Sequence, residues 1–238
     1  MNVYLISEPR LDFTEVSRFI EDEMLPPGCA YHVEPASDAE ILAELAGRIC
    51  YMSFGKGRKS TGEFLANITA QKHFSVMEHA NWTFIITGVS RSLTHELVRH
   101  RHLSYSQLSQ RYVDESEVTF VQPAGIPDSG EAYEEWKCQC EVALMSYKVL
   151  VEELEKSPTL ENLSSTDRRK WVRQAARAVL PNCTETKIVV TGNARAWREF
   201  ILKRDSPHAD PEIRALAHEI DRILVLKSHG LFMNMEEQ

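Results

Sequence analysis

The order of helix-like and strand-like segments constrains the fold of this chain more than any other feature of its sequence. Short runs of β-branched and aromatic residues, such as residues 3–6 (VYLI) and 82–89 (WTFIITGV), alternate irregularly with longer stretches of helical periodicity. The sequence has no internal repeat and no low-complexity linker, and 238 residues suit one large domain or two small ones. The pattern therefore predicts one α/β or α+β domain over residues 1–238.

Local signals set the expected boundaries of the elements. Ser37 and Glu40 form a capping-box pattern ahead of helically spaced apolar residues, and Ser60 and Glu63 repeat that pattern. The sequence predicts helices over residues 37–49, 60–68, 91–100, 131–155, 166–180 (capped by Thr166), 193–204 and 211–226, with Gly192 breaking the chain before residue 193. It predicts strands over residues 3–6, 82–89, 118–121 and 186–191, and loops over residues 102–112 and 125–130.

The composition excludes several classes of protein. Hydrophobic residues make up 43% of the chain and charged residues 26%, which argues against a disordered, collagen-like or coiled-coil protein. No apolar run approaches the roughly 20 residues of a membrane-spanning helix, and residues 1–13 lack the pattern of a secretory leader. We therefore expect a cytoplasmic protein with no membrane partner.

The cysteines and the first histidines give weak signals for a metal. The five cysteines are odd in number and scattered, which argues against a disulfide framework. Cys138 and Cys140 are close in sequence, but no second pair accompanies them. His73, Glu78 and His79 carry atoms that can bind zinc, but they lack the HExxH spacing. We expect no metal site.

The segment from Arg91 to Arg111 concentrates positive charge in a chain with a formal net charge of −8. Four arginines and three histidines stand there against the single acid Glu96, among serines and glutamines. Arginine presents a planar fork of donors that stays protonated, so converging arginines suit phosphate oxygens. A solvated basic surface is the simpler alternative, although such a surface more often carries Lys and Glu. The segment favours a small anionic ligand, and the negative total argues against a broad nucleic-acid surface.

Two other segments repeat this chemistry. Asn193-Ala194-Arg195 opens a predicted helix directly after a strand, where free backbone N–H groups can bind an anion. Arg198 and Arg204 follow on the same predicted helix. Arg177 lies near the end of another helix, where the helix dipole alone also favours a cation.

Several common catalytic patterns are missing from the sequence. There is no GxSxG elbow, no GxGxxG after a strand and no GxxxxGK[ST] loop. Ser109 as a hydrolytic nucleophile would need an adjacent base and an orienting third group, which sequence spacing does not establish.

Residues 99–111 fit the pattern Arg-His-Arg-x-x-Ser-x-x-x-x-Ser-x-Arg, which resembles the signature of the flavin-dependent thymidylate synthases, the ThyX family. Four further blocks resemble blocks of that family in the same order. They are His73-x-Ser75-x-x-Glu78-His79, Ala176-Arg177-x-x-Leu180-Pro181, Asn193-Ala194-Arg195 and Arg204-x-x-x-His208-Ala209.

The resemblance implies a fold, an assembly and a reaction. The fold is a single mixed α/β catalytic domain over residues 1–238, with a central, largely antiparallel sheet flanked by helices. The assembly is a homotetramer with active sites shared between subunits, which also gives room for three ligands. Enzymes of this family convert dUMP to dTMP, with 5,10-methylenetetrahydrofolate as one-carbon donor and NADPH as reductant through bound FAD.

The resemblance also implies which residues hold the ligands. The positions expected to bind the flavin are His73, Ser75, Arg99, His100, Arg101, Gln107, Asn193, Arg195, Glu199 and His208. The positions expected to bind dUMP are Glu96, Arg99, Gln107, Leu108, Ser109, Gln110, Arg111, Arg177 and Arg204. The sequence departs from the family pattern at Glu96, where a glutamine can occur, at Gln107, where an acid can occur, and at Glu199, where an amide is expected.

The residues of these blocks suggest roles in catalysis. Arg204, placed against the uracil ring, would stabilise the negative charge that develops when carbon 5 becomes nucleophilic. The flavin would carry the hydride, and the protein would bind and orient the reactants. We expect Ser109 to bind dUMP without being an obligatory nucleophile. No cysteine lies in the matching blocks, so we expect no covalent cysteine–nucleotide adduct.

Two other functions compete with this interpretation. A module that binds RNA or single-stranded DNA would use the basic segment with aromatic stacking platforms, for which Tyr105 and Tyr112 are the candidates there. A flavin enzyme that methylates uridine in RNA is the second alternative, and the net charge of −8 favours a free nucleotide instead.

Overall fold

The computed structural model of the protein describes residues 1–25, 36–56, 60–233 and 235. The described helices are α1 (Phe13–Asp22), α2 (Asp38–Tyr51), α3 (Thr61–Ala70), α4 (Arg91–Leu97), α5 (Glu131–Glu155), α6 (Ser165–Ala176), α7 (Ala194–Arg204), α8 (Pro211–Lys227) and α9 (His229–Phe232). The described strands are β1 (Asn2–Ser7), β2 (Asn81–Ser90), β3 (Ser104–Gln107) and β4 (Glu185–Asn193). Short 3₁₀ helices cover Phe74–His79, Pro158–Leu160 and Arg177–Val179.

The four strands form one antiparallel sheet in the order β1-β2-β4-β3. The non-consecutive order arises because β4, from late in the chain, lies between β2 and β3. The sheet and its helices confirm the mixed α/β fold expected from the sequence.

The chain divides into two compact units. The first unit comprises Met1–Asn2, Ile86–Arg99 and Ser106–Ile188, and the second comprises Val3–Ile85, His100–Tyr105 and Val189–Gln238. Strands β2 and β4 each contribute residues to both units.

The core of the second unit is aromatic. Phe84 on β2 meets Trp197 on α7 edge to face, with ring centroids 5.1 Å apart, and Trp82 meets Phe232 of α9 at 5.4 Å. Helix α8 adds an apolar stripe at helical spacing, which is fully buried. This packing holds α7, which carries several candidate site residues.

In the first unit, the long helix α5 packs against α6. Tyr147 of α5 is fully buried, and its hydroxyl accepts a hydrogen bond from the backbone N–H of Glu115 at 3.2 Å. Helix α4 contributes the buried Leu93 and Leu97. The first unit therefore fixes the turn around residue 115 by a side chain from α5.

Side-chain caps explain where several helices begin. Ser37 and Glu40 form the predicted capping box of α2. Ser60 caps α3 through the N–H of Glu63, and Asn193 caps α7 through the N–H of Ala196. The sequence prediction was wrong for α6, which Ser164 caps in place of Thr166, because Ser164 both accepts from the Asp167 N–H and donates to its carboxylate. Helix α6 also ends at Ala176, before the predicted residue 180, and a 3₁₀ turn follows.

The predicted loop over residues 102–112 is wrong in part, because Ser104–Gln107 forms the edge strand β3. The inward positions of this strand, Tyr105 and Gln107, are half-buried and polar, so the alternation gives no hydrophobic signal. Helix α4 likewise ends at Leu97, short of the predicted residue 100.

The predicted strand over residues 118–121 is also wrong. One isolated bridge joins Phe120 to Thr184. A turn takes up Val118, whose N–H donates to the carbonyl of Glu115, and Pro123 follows without a donor. The pairing with residue 184 therefore does not extend into a strand on either side of Phe120.

Gly192 lies inside β4 and does not break the strand as predicted. A Cβ atom there would overlap a methyl of Leu103 and would lie 3.2 Å from the indole nitrogen of Trp197. The glycine therefore permits the close packing of these two side chains against β4. Helices α1 and α9 and the 3₁₀ helix Phe74–His79 were not predicted from the sequence.

Candidate active site

Helix α7 and the segment His100–Tyr105 place the candidate residues of the second unit. Nε of Arg204, at the end of α7, donates a hydrogen bond of 2.9 Å to Nε2 of His100. The His100 ring also packs edge to face on Phe200, with centroids 5.1 Å apart, and its carbonyl accepts from the Tyr105 hydroxyl. His100 is thus held from three sides.

The surroundings of His100 keep its imidazole neutral. Burial, together with the nearby cations Arg204 and Lys203, lowers the pKa of His100 to about 4. Since arginine has no acceptor, the ring nitrogen that meets Arg204 must carry a lone pair. His100 therefore orients Arg204 as a hydrogen-bond acceptor.

A cavity of about 640 Å³ opens beside α7. It is lined by Phe74, His102, Arg195, Arg198, Glu199, Leu202, Lys203 and Ser206. Arg195 and Glu199, two of the predicted flavin positions, belong to this wall. Cations dominate its polar lining, so an anionic ligand suits it.

Acids pair with the exposed cations of this cavity. Arg195 contacts Glu78 at 2.6 Å, and Lys203 contacts Glu199 one turn before it at 2.5 Å. The hydrogen bond from Lys203 lowers the pKa of Glu199. Glu199 is therefore a carboxylate in the resting protein.

A second cavity of about 280 Å³ shares Phe74 and Arg195 with the first. The predicted flavin positions His73 and Ser75 line it, and both side chains are exposed. The His73 ring stacks on that of Tyr51 with an interplanar angle of 22° and a centroid distance of 6.4 Å. The structure thus brings His73, Ser75, Arg195 and Glu199 to two adjoining cavities of one unit.

Three other predicted flavin positions of the second unit lie elsewhere. The Asn193 side chain caps α7, and it lines neither cavity. Arg101 and His208 are exposed and also line neither of them.

In the first unit, the side chain of Gln107 is fixed by two threonines. Its amide nitrogen donates to Oγ1 of Thr94 at 3.0 Å and to Oγ1 of Thr186 at 3.3 Å. The backbone N–H of the next residue, Leu108, donates to the carbonyl of Lys187. Edge pairing to β4 therefore determines where the following turn begins.

Ser109 starts that turn. Its hydroxyl accepts a long hydrogen bond, 3.3 Å, from the N–H of Arg111, and its carbonyl accepts from the N–H groups of Tyr112 and Val113. Arg173 donates to the carbonyl of Tyr112 and to the carboxylate of Asp114. Helix α6 thereby braces the turn.

Four buried polar atoms around this turn have no hydrogen-bond partner within the described chain. Three are donors, Arg91 Nη1, Gln110 Nε2 and Arg111 Nε, and the fourth is the acceptor Glu115 Oε1. Burial lowers the pKa of Arg91, and the neighbouring Arg177 lowers it further while Glu115 opposes this. Unpaired buried donors are costly, so such a group points to a ligand rather than to packing.

The remaining predicted nucleotide residues of the first unit lie at the end of α4. Glu96 is half-buried, and its carbonyl accepts from the N–H of Arg99 at 3.1 Å. The Arg99 side chain is exposed.

Sequence reasoning missed several residues of these sites. Arg91 was recognised only as part of the basic segment, and Glu115, Phe74 and Lys203 had no assigned role. A buried carboxylate in a polar turn has no sequence signal, because its burial depends on Tyr147 and Arg91 from distant elements.

Neither a metal centre nor a membrane span is found in the described part of the chain. No group of three or more His, Cys, Asp or Glu side chains there is arranged to hold a metal ion, and Glu78 pairs with Arg195. No helix among the described residues is long and apolar enough to cross a bilayer.

Comparison with known proteins agrees with these features. The family described as "Thymidylate synthase complementing protein" matches residues 33–227. A protein of Mycolicibacterium gilvum named flavin-dependent thymidylate synthase is 50% identical to this chain over 210 residues, which cover 86% of this chain and 84% of the relative. The protein of the same name in Mycobacterium avium is 46% identical over 218 residues, which cover 90% of this chain and 86% of the relative. The one in Mycobacterium marinum is 46% identical over 224 residues, which cover 93% of this chain and 89% of the relative. Because the family model matches residues 33–227 and these relatives are 46–50% identical over most of the chain, the chain belongs to the flavin-dependent thymidylate synthase family.

Proposed function

We propose that this protein is a thymidylate synthase that methylates dUMP to dTMP with a flavin cofactor. The observation that carries the proposal is the family membership over nearly the whole chain. The two sets of buried and cavity-lining cations support it, since each suits a phosphate-bearing ligand. The flavin is FAD, the reductant is NADPH, and the one-carbon donor is 5,10-methylenetetrahydrofolate.

The first unit binds the nucleotide phosphate. The unpaired donors of Gln110 and Arg111 give an anion the partners that the protein itself does not supply. Arg177 adds a cation, and Ser109 and Leu108 provide short polar and backbone groups in the same turn. Glu96, Arg99 and Gln107 complete the set for the nucleoside, with Gln107 held in place by Thr94 and Thr186.

The second unit binds the flavin. Its residues fit such a group, because a cavity of about 640 Å³ with a cationic wall adjoins a second one lined by His73 and Ser75. Arg195 and Glu199 belong to this wall. Asn193, His100, Arg101 and His208 line neither cavity, and their flavin contacts are proposed from the family resemblance alone. The flavin when bound supplies the hydride.

Arg204 faces the uracil ring of dUMP. A guanidinium cannot readily act as a base, so it stabilises the negative charge that develops on the ring as carbon 5 attacks. His100 fixes the orientation of Arg204 through the Nε–Nε2 hydrogen bond. Ser109 binds the nucleotide, and no cysteine takes part in covalent catalysis.

The assembly is a homotetramer in which residues from more than one subunit complete each active site.

Residues 1–238 act as one cytoplasmic catalytic domain. Strands β2 and β4 support this, because each contributes residues to both units and the chain passes repeatedly from one to the other. Equilibrium sedimentation of the purified protein tests the tetramer.

An anaerobic assay tests the function. The FAD-loaded protein is mixed with NADPH with and without dUMP, and methylenetetrahydrofolate is then added for product analysis. Formation of dTMP with flavin reoxidation is the expected result. Flavin binding without dTMP formation would leave RNA uridine as the acceptor to be tried, and failure to bind flavin would contradict the proposal.

A further inference from the structure

Of the two arginines that line the larger cavity in the described part of the chain, Arg198 is the buried one. Only 4% of the residue is exposed, although it lines the wall of a cavity of about 640 Å³. It lies on α7 one turn after Arg195. Burial lowers the pKa of Arg198, which reflects the cost of holding its charge away from water.

No acid of the described residues offsets the charge of Arg198. Among the described residues, no carboxylate lies within ion-pair distance of Arg198, whereas Arg195 and Lys203 in the same wall each have one. Burying an unpaired charge is expensive, and proteins normally avoid it. The second unit therefore carries an uncompensated cation at this cavity.

Two uncharged groups hold the guanidinium of Arg198 in place. Its Nη1 donates to the carbonyl of Leu231 in α9, and its carbon Cζ lies 5.5 Å from the centre of the Phe74 ring. Both contacts position the group without neutralising it. Phe74 lines the same cavity, so Arg198 and Phe74 form one face of the wall.

We propose that Arg198 binds the pyrophosphate of a dinucleotide in the 640 Å³ cavity, as the buried counter-charge to that anion. The inference rests on the proposed function, which supplies two dinucleotides, FAD and NADPH. A guanidinium forms charge-assisted hydrogen bonds with phosphate oxygens, and these are stronger inside a cavity than in water. Arg195 and Lys203, already paired with acids, add less to the binding of this group.

The first test measures the affinity of the apoprotein for FAD in three variants. Arg198→Met removes the charge at similar length, Arg198→Lys keeps it, and Arg222→Met is the matched control, since Arg222 is exposed on α8 and paired with Glu219. We expect Arg198→Met to raise the Kd for FAD about 10- to 100-fold, as for loss of a hydrogen bond to a charged group. Arg198→Lys should raise the Kd for FAD by a smaller factor, and Arg222→Met should leave it unchanged.

Riboflavin, which has no phosphate, separates charge recognition from a structural effect. Its Kd should be the same in the wild type and in Arg198→Met. Equal losses of FAD and riboflavin affinity would overturn the proposal, because Arg198 would then only support the cavity wall. Titration of NADP⁺ into the FAD-loaded protein shows which dinucleotide Arg198 binds. If Arg198→Met weakens the binding of NADP⁺ but not of FAD, the bound pyrophosphate belongs to the nicotinamide dinucleotide.

A competition experiment on the wild type avoids the risk that a variant fails to fold. Inorganic pyrophosphate should displace FAD, or NADP⁺ if Arg198 binds that dinucleotide, but it should not displace riboflavin. If it displaces neither dinucleotide, the proposal is wrong. The proposed function fails separately, when the wild-type protein does not bind FAD at all.

Discussion

Nε of Arg204 and Nε2 of His100 are joined by a hydrogen bond of 2.9 Å, in which the arginine is the donor. This contact requires a neutral imidazole with its proton on Nδ1. The Phe200 ring and the Tyr105 hydroxyl fix the histidine from other directions. A residue of the Arg-His-Arg segment thus orients the arginine that we place against the uracil ring.

Replacement of His100 should separate its role as an acceptor from its role as a ring. His100→Gln keeps an oxygen that can accept from Arg204, whereas His100→Leu has none. Because small misplacements of a catalytic group cost about 100-fold, we expect a loss of that order in the rate of dTMP formation for Leu and a smaller loss for Gln. Rapid-quench measurement at saturating flavin and dUMP checks this, and equal rates for the two variants would contradict it.

The lowered pKa of His100 makes stability depend on pH. The unfolded histidine, with a pKa near 6.5, takes up a proton as the pH falls, whereas the folded one stays neutral down to about pH 4. The contribution is therefore fully present above pH 6.5 and is lost between pH 6.5 and 4. The slope should be less than about 1.4 kcal/mol per pH unit, since solvent screens a half-buried group. Urea unfolding of wild type and His100→Gln across this range should give the steeper slope for the wild type.

Gln110 should affect stability and nucleotide affinity in opposite directions. Gln110 is 5% exposed, and its Nε2 has no hydrogen-bond partner in the described chain. Gln110→Met removes that unpaired donor, so the free energy of unfolding of the unliganded protein should stay the same or rise by about 1 kcal/mol. The Kd for dUMP should rise about tenfold. Chemical denaturation and calorimetric titration measure the two quantities, and a variant with unchanged dUMP affinity would remove Gln110 from the site.

The hydrogen bond between Thr94 and Gln107 should show coupling in a double-mutant cycle. Thr94→Val and Gln107→Leu each remove one partner, and the coupling free energy of unfolding should be about 1 kcal/mol. Thr186→Val is the matched comparison and should couple less strongly, because its bond to Gln107 is 3.3 Å long rather than 3.0 Å. Thr94→Val should also weaken dUMP binding. Additive effects of Thr94→Val and Gln107→Leu would show that the bond does not position the glutamine.

Ser109→Ala should keep measurable dTMP synthesis. Within the described residues, the Ser109 hydroxyl accepts only a long hydrogen bond, from the Arg111 N–H, so its removal should leave the turn intact. We expect a rise of about tenfold in the Kd for dUMP, as for one lost hydrogen bond. Steady-state product analysis at saturating dUMP decides the question. Complete loss of dTMP with dUMP binding preserved would identify Ser109 as a nucleophile.

The sequence by itself determined the elements whose signals are local. The capping box at Ser37, the long acidic helix α5 and the apolar run of β2 each carry their own periodicity or cap, so they were predicted close to their observed bounds. The family signature in residues 99–111 likewise depends only on the order of residues. The roles of the individual site residues stay predictions.

Tertiary structure alone decided the features that depend on distant partners. Ser104–Gln107 became a strand because β4 offered its edge, and residues 118–121 did not because a turn and Pro123 limit the pairing to one bridge. Glu115 and Arg198 are polar residues whose burial no local pattern indicates. Burial and charge compensation depend on which side chains the fold brings near, and the spacing of residues along the chain does not contain that information.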